Sequence, residues 1–255
     1  MTMDFTLSQY KQLLSAIIEK DYQFQTFADF IKKPQPQSII LRHDVDLKPQ
    51  NSLVFAKIQH QHQIKGVYYF RAVKESWDER IICEIAEMGH EIGYHYENLT
   101  TCRGNKQKGI VDFERNLNLL RTLAPVSTIC MHGSPLSKYD SKDLWKTYSY
   151  QDFGLIGEPY FDIDFNQVQY LTDTGRRWNG EQVSVRDKVI SITASSFEST
   201  PEIIQAALKN QLSDQIMFTF HPQRWNDKSL LWIEELVLQN VKNVIKKYFF
   251  VKSAR

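Results

Sequence analysis

The sequence predicts an α/β fold carried on a parallel sheet, and three observations predict it. Short apolar runs alternate with segments of helical length, the rhythm of repeated strand–helix units. The runs are nearly continuous rather than alternating, as strands covered on both faces must be. Several of them end in His, Asp or Arg, and parallel α/β folds collect their functional groups at the C-terminal ends of strands. With 255 residues, 42% apolar and 13% aromatic, the chain can build one large α/β unit or two small domains around a substantial core.

The elements follow in order. Residues 7–20 place Leu7, Tyr10, Leu13, Leu14, Ile17 and Ile18 on one helical stripe. Residues 22–31 are rich in aromatics, and Lys33-Pro34-Gln35-Pro36 interrupts the chain. Residues 1–36 are therefore expected to form a helical cap ahead of a main fold at 37–255. Strands are expected at 38–41, 67–70, 91–94, 127–131, 189–192 and 216–220, with helices at 51–63, 78–88, 111–123, 201–212 and 230–247. Residues 140–188 break the rhythm with aromatics and Asp/Gly turns, and read as a long, partly β insertion over one end of the sheet. There is no internal repeat and no low-complexity tract.

Composition removes several classes of function. Lys and Arg total 31 against 30 for Asp and Glu, so no net field recruits nucleic acid or an anionic membrane, and no basic stripe is present. Three cysteines, Cys83, Cys102 and Cys130, form neither an even set nor a Cys-x-x-Cys pair, which fits a reducing compartment. The opening MTMDFTLSQYKQLL has no apolar leader core, and no run approaches the roughly 18 apolar residues of a membrane span. A cytoplasmic protein is expected. Phosphate-binding glycine loops are absent, and Gly133-Ser134-Pro135 lacks the Gly-x-Ser-x-Gly pattern of a serine nucleophile.

The strand ends carry the chemistry. Arg42-His43-Asp44-Val45-Asp46 follows one apolar run, and Arg71, His95, His132 and His221 follow four others. If the first strand continues through Val45, Asp44 and Asp46 point to the same side. Adjacent carboxylates repel, so one must be hard to ionise unless a cation lies between them. A divalent metal held by one carboxylate and by imidazoles resolves the conflict and leaves the other carboxylate to take a proton from water. One Asp with two His and an open position is a common hydrolytic zinc arrangement. Taken singly, an Asp-x-Asp is usually a turn or cap, and a strand-end His a hydrogen-bonded structural group; four such strand ends together favour a site. His60, His62 and His90 are read as structural, and His43 as facing away from Asp44.

These residues resemble the motifs of the polysaccharide deacetylase family (NodB homology, carbohydrate esterase family four). Leu41-Arg42-His43-Asp44-Val45-Asp46 is similar to its first motif, and Gly89-His90-Glu91-Ile92-Gly93-Tyr94-His95-Tyr96-Glu97 to its second, the most specific match. His132-Gly133-Ser134-Pro135 stands where a Pro-containing third motif falls, and Thr219-Phe220-His221-Pro222 resembles the closing strand-end motif. The likeness runs from about Ser38 to the end of the sequence and is weak across 140–188. It implies a distorted (β/α)7-type barrel, Asp44 as general base, Asp46 and His95 as metal ligands, and His221 as the acid that protonates the leaving amine. Two departures matter. The family's second ligand His falls at Leu99, so His132 is expected as the third ligand, with Glu97 as the alternative. Asp-Val-Asp in place of adjacent aspartates leaves the roles of Asp44 and Asp46 exchangeable.

The expectation is a metal-dependent hydrolase, zinc being the expected ion, that removes an N-acyl group from a nucleotide-linked, lipid-linked or oligosaccharide substrate during surface-glycan assembly. Arg71 is a candidate for a substrate phosphate or carboxylate, or for an acid of the site. Arg177 and Trp178 are candidates for substrate contact, against a solvated Arg and a core Trp. The competing readings are a deformylase or metal-independent amidohydrolase on the same fold, and a non-catalytic carbohydrate-binding or scaffold protein.

Overall fold

The computed structural model describes residues 3–178 and 197–246. The expected strand at 189–192 lies outside the described residues. Helix α1 (Leu7–Ile18) is started by Thr6, whose hydroxyl accepts from the Gln9 N–H at 3.1 Å, and it buries Tyr10, Leu13, Leu14 and Ile17 completely. Strand β1 (Gln23–Gln25) and helix α2 (Phe27–Lys32) follow. The opening segment therefore contributes a strand to the sheet, which the aromatic-rich pattern of 22–31 did not disclose.

The remaining elements are β2 (Ser38–Val45), α3 (Pro49–Gln61), β3 (Val67–Phe70), α4 (Glu79–Glu87), β4 (Glu91–Tyr96), α5 (Asn98–Thr101), α6 (Lys106–Arg121), β5 (Val126–Met131), α7 (Pro159–Asp162), β6 (Gln169–Thr172), α8 (Thr200–Leu208), β7 (Gln215–Phe220) and α9 (Ser229–Lys246). Among the described residues seven strands, all parallel, form one sheet in the order β5-β4-β3-β2-β7-β6, with β1 also on β2. This is the α/β class that the alternating pattern predicts. Among the described residues the path does not close between β5 and β6; the parallel sheet is consistent with the distorted (β/α)7-type barrel expected, without showing its closure.

Strand β2 is the axis of the molecule. Its partner β7 pairs along 38–43, so β1 (against 38–40) and β3 (against 42–45) share the other edge end to end. All eight β2 residues are buried. The strand runs four residues past the expected end at 41, because Arg42, His43 and Asp44 each have buried partners and a polar run is compatible with a central strand once it is paired. In β4, a Cβ on Gly93 would lie 2.3 Å from the Tyr69 ring; only glycine lets that ring cross the strand and place its hydroxyl on Thr128 at 3.2 Å.

The stretch read as an insertion contains two 3-10 turns, Ser141–Lys146 and Tyr150–Phe153, then α7 and β6. Strand β6 pairs with β7 from Gln169 to Thr172 and is an integral strand of the main sheet. No described helix is long and apolar enough to cross a membrane.

Candidate functional site

A cleft of about 490 Å³ opens at the C-terminal ends of the strands, and its lining includes Asp44, Asp46, Arg71, His95, His132 and His221. Five strands contribute directly: β2, β3, β4, β5 and β7. Because β2 runs through Val45, that side chain enters the core, while Asp44 and Asp46 both face His95, whose Nε2 lies 3.7 Å from Asp44 Oδ2 and 3.6 Å from Asp46 Oδ1. The strand-parity expectation for the two carboxylates is met.

Asp46 is the hub. His132 Nε2 stands 3.5 Å from its Oδ1, and His221 Nε2 stands 3.8 Å from its Oδ2. Burial would raise the Asp46 pKa, but His132, His95 and His221 outweigh it and hold the carboxyl well below its usual range. Its Oδ1 is buried and makes no hydrogen bond.

Each imidazole is oriented from behind. His95 Nδ1 donates to the Cys130 carbonyl at 2.9 Å. His132 Nδ1 donates to Glu97 Oε2 at 2.9 Å, with Ser134 Oγ at 3.0 Å. His221 Nδ1 donates to Asp173 Oδ1 at 2.6 Å. With the Nδ1 proton committed, each ring in its neutral form would turn a lone pair at Nε2 toward Asp46. Lone pairs that face a carboxylate oxygen are repulsive until a proton or a cation comes between them. A ligating His with its other nitrogen held by a carbonyl or carboxylate is the usual support for a metal. The donor set Asp46, His95 and His132 therefore fits a divalent ion, and zinc accepts such a set.

The atoms of Asp44, His95 and Cys130 also lie within 4.8 Å of one another. Asp44 is the poorer ligand of the two aspartates. Arg42 grips it with Nε at 2.8 Å and Nη2 at 2.7 Å, and a guanidinium there opposes a second cation. Arg42, two residues earlier on the same strand face, is fully buried and also reaches the Tyr160 hydroxyl at 3.2 Å. Burial of His95 would depress its pKa, yet Asp44 and Asp46 raise it above the ordinary value. The space beside His95 thus favours positive charge.

Around this core lies a shell of paired acids. Glu97 accepts from Arg71 (Nε 2.8 Å, Nη2 2.6 Å) and from His132, and although burial opposes ionisation, His132 and then Arg71 pull its carboxyl down to about 2. Arg71 also donates to the Asp46 carbonyl at 3.1 Å. Asp173 is fully buried and accepts from the His221 ring, the His221 N–H at 2.9 Å, Arg224 at 2.9 Å and the Trp225 indole at 2.6 Å. Those donors lower its pKa against the opposing effect of burial.

Of the residues the sequence singled out, Asp44, Asp46, His95, His132, His221 and Arg71 meet in one cleft. Arg71 pairs with an acid of the site, the second of its two readings. Glu97 stands behind His132 rather than beside Asp46, so His132 is the better third ligand. Leu99 is buried, its N–H bonded to Ser141 Oγ at 3.2 Å. Two expectations are corrected. Trp178 is in the core, packed against Phe5, Phe218, Phe220 and Trp225 with its indole N–H on Thr200 at 2.9 Å; the apolar neighbours leave it no face for a sugar. Arg177 is exposed and does not line the cleft. Sequence reasoning missed Arg42, Ser134 and Asp173. The first was recoverable from its i−2 position on the strand, and the last was hidden in a stretch taken for an insertion.

No protein-family model and no curated protein matches this sequence. Among solved structures, the chain is similar to a CE4 esterase from Streptococcus mutans, at 16% identity over 90% of each chain with a TM-score of 0.45. It is similar to a family 4 carbohydrate esterase from Streptomyces lividans in complex with acetate, at 12% identity over 80% of this chain and 88% of that one, TM-score 0.42. It is also similar to a CE4 family pseudoenzyme from Bacillus anthracis, at 13% identity over 84% of this chain, TM-score 0.42, and spans only 63% of that chain's length. These are distant likenesses of fold alone.

Proposed function

We propose that the chain is a metal-dependent hydrolase that removes an N-acyl group, acetyl first, from a sugar in surface-glycan biosynthesis. The observation that carries this reading is Asp46 facing the Nε2 atoms of His95, His132 and His221 at 3.5–3.8 Å, with Asp44 beside it in the grip of Arg42. Ligands, a base and an acid surround one small space. Asp46, His95 and His132 would hold the ion, which when bound supplies a Lewis acid for the acyl oxygen and an acidified water.

The chain's own groups supply the proton transfers. Asp44 accepts a proton from the water that attacks the acyl carbon, and Arg42 fixes its two oxygens for that task. His221 gives the proton at Nε2 to the nitrogen as the C–N bond breaks, so the products are a carboxylic acid and an amine. Asp173 holds the other ring nitrogen and stabilises the imidazolium that donates, as the acid of a catalytic triad does. Three free cysteines, Cys83, Cys102 and Cys130, favour a reducing, cytoplasmic setting, where nucleotide-linked or lipid-linked sugars are the substrates to try first.

The test is acetate release from a panel of N-acetylated sugars, with metal content measured on protein purified without chelator. The expected result is near one equivalent of metal and turnover that falls on the order of 10²–10⁴-fold in Asp44→Asn. Equal acetate release by native protein and variant across the panel would favour the binding or scaffold reading. Turnover with less than about a tenth of an equivalent of metal would favour the metal-free hydrolase.

A further inference from the structure

Asp44 and Asp46 face the same imidazole, but their partners differ in charge. Arg42 grips both Asp44 oxygens with a guanidinium, at 2.8 and 2.7 Å. The Asp46 carboxylate has only imidazoles as ion-pair partners among the described residues, and Arg71 reaches only its backbone carbonyl. The donor on Oδ2 is a neutral amide, Gln223 Nε2 at 3.4 Å. Oδ1, the oxygen that faces His95 and His132, accepts no hydrogen bond.

Gln223 is delivered on a fixed turn. It follows His221 by two residues, on the 3-10 turn Pro222–Arg224. The His221 N–H and Arg224 both bind Asp173, and the Pro222 carbonyl accepts from Asn51 at 3.3 Å. One turn thus brings the Gln223 amide and the His221 ring to the same Asp46 oxygen. Gln223 lines the cleft but is only 6% exposed. A carboxylate accepts only from the NH2 end of an amide, which fixes the orientation of this one. Its Oε1 is then buried without a hydrogen bond. A buried, unpaired carbonyl is destabilising, and an unbranched apolar side chain of similar volume would avoid it. Shut away from solvent, that oxygen also has no way to read a substrate. What the position gains is the donor on Asp46.

We propose that Gln223 is a positioning residue that decides which aspartate is the metal ligand. It holds Asp46 by one oxygen without neutralising it. The carboxylate keeps its full charge and offers Oδ1 alone to the ion that His95 and His132 would share. Arg42 does the reverse at Asp44: both oxygens are occupied and the charge is balanced, which keeps a cation away from that carboxylate. The division of labour between two neighbouring aspartates is set by the charge of their donors. This inference rests on the reading of Asp46, His95 and His132 as the ligands.

The test is zinc titration of the metal-free full chain by calorimetry, with thermal unfolding of the same samples. The native chain should take up about one equivalent. Gln223→Met removes the donor and should weaken zinc binding by about 10–100-fold. Gln223→Lys brings a cation to Oδ2, as Arg42 does at Asp44, and should weaken it on the order of 10³-fold. The metal-free thermal midpoint of Gln223→Met should equal or exceed the native one, because the lost bond is offset by removal of the unpaired carbonyl. A merely structural glutamine would lower it. In zinc-loaded crystals of the native chain, Asp46 should meet the ion through Oδ1, with Oδ2 still on Gln223. The idea is overturned by a Gln223→Met variant that binds zinc as tightly as the native chain, by affinity lost only together with a lower metal-free midpoint, or by both Asp46 oxygens on the ion. A native chain that takes up no zinc would sink the ligand assignment itself, and this inference with it.

Discussion

His43 and His95 are both buried imidazoles on central strands, and both donate Nδ1 to a backbone carbonyl, Val67 at 3.0 Å and Cys130 at 2.9 Å. They differ in what the other nitrogen meets. His43 Nε2 accepts from Gln59 Nε2 at 2.8 Å; Gln59 also donates to the Tyr10 hydroxyl at 2.6 Å and accepts from the Tyr68 hydroxyl at 2.8 Å. That network is closed, the ring stacks on Tyr68 at 4.1 Å, and burial drives its pKa down to about 3. His95 Nε2 faces two carboxylates at 3.6–3.7 Å, and its pKa is raised. A structural imidazole has both nitrogens satisfied and rejects a proton. A ligand-type imidazole has one nitrogen satisfied and faces negative charge that invites a cation.

The largest effect that sharpens this contrast is expected at Asp46. Asp46→Asn keeps the shape but removes the anion common to His95, His132 and His221. Bound metal should fall below about a tenth of an equivalent, and acetate release should drop on the order of 10³-fold or more, since loss of a ligand removes both affinity and chemistry. Elemental analysis beside the acetate assay reads both. Retention of full metal by Asp46→Asn would move the ion to the Asp44, His95 and Cys130 set instead.

A smaller effect is expected one step back. Glu97→Gln still accepts from His132 Nδ1 but loses the charge that Arg71 neutralises. Metal affinity by calorimetry should fall about 10–100-fold, the usual range for a residue that orients a ligand, and excess metal should restore turnover. Turnover that stays low when the site is saturated would mean that Glu97 itself touches the substrate.

How legible this was varies by residue. His95, His132 and His221 were visible because each follows a short apolar run, and a parallel strand's end has one place to go. The choice of His132 over Glu97 followed from the expectation that its strand lies beside that of His95, and β4 does pair with β5 at His95 and Cys130. Asp173 was not visible. Its partners are 48–52 residues away, and the strand that delivers it has only four residues, Gln169–Thr172, among aromatics that look like an insertion. The length of β2 was missed for a related reason: hydropathy scores Arg42 and His43 as exposed, whereas pairing with Asp44, Gln59 and Val67 makes them core. Trp178 showed the opposite error, an aromatic beside an arginine that packs inward because Phe5, Phe218, Phe220 and Trp225 leave an apolar space for it.

The smallest effect tests the closed side of the comparison. His43→Phe should leave metal binding nearly unchanged and reduce stability at pH 7 by about 1–3 kcal/mol, because Gln59 and the Val67 carbonyl lose their partner. The pH dependence is more specific. The folded pKa of His43 is about 3 against 6.5 for the free side chain, so between those values the unfolded chain binds more protons and native stability falls as the pH is lowered. Between pH 6.5 and 5 this one group contributes a loss of about 2 kcal/mol. The charged and titratable groups around it are His90, Asp44 and Asp173. His90, lowered to about 4, and Glu158, raised to about 7, have opposite slopes and are common to both proteins, so they cancel in the difference. The gap between native and His43→Phe in urea unfolding should therefore narrow or reverse from pH 7 to pH 5. An unchanged gap would mean that His43 is not held neutral, and the distinction between the two imidazoles would fail at its structural end.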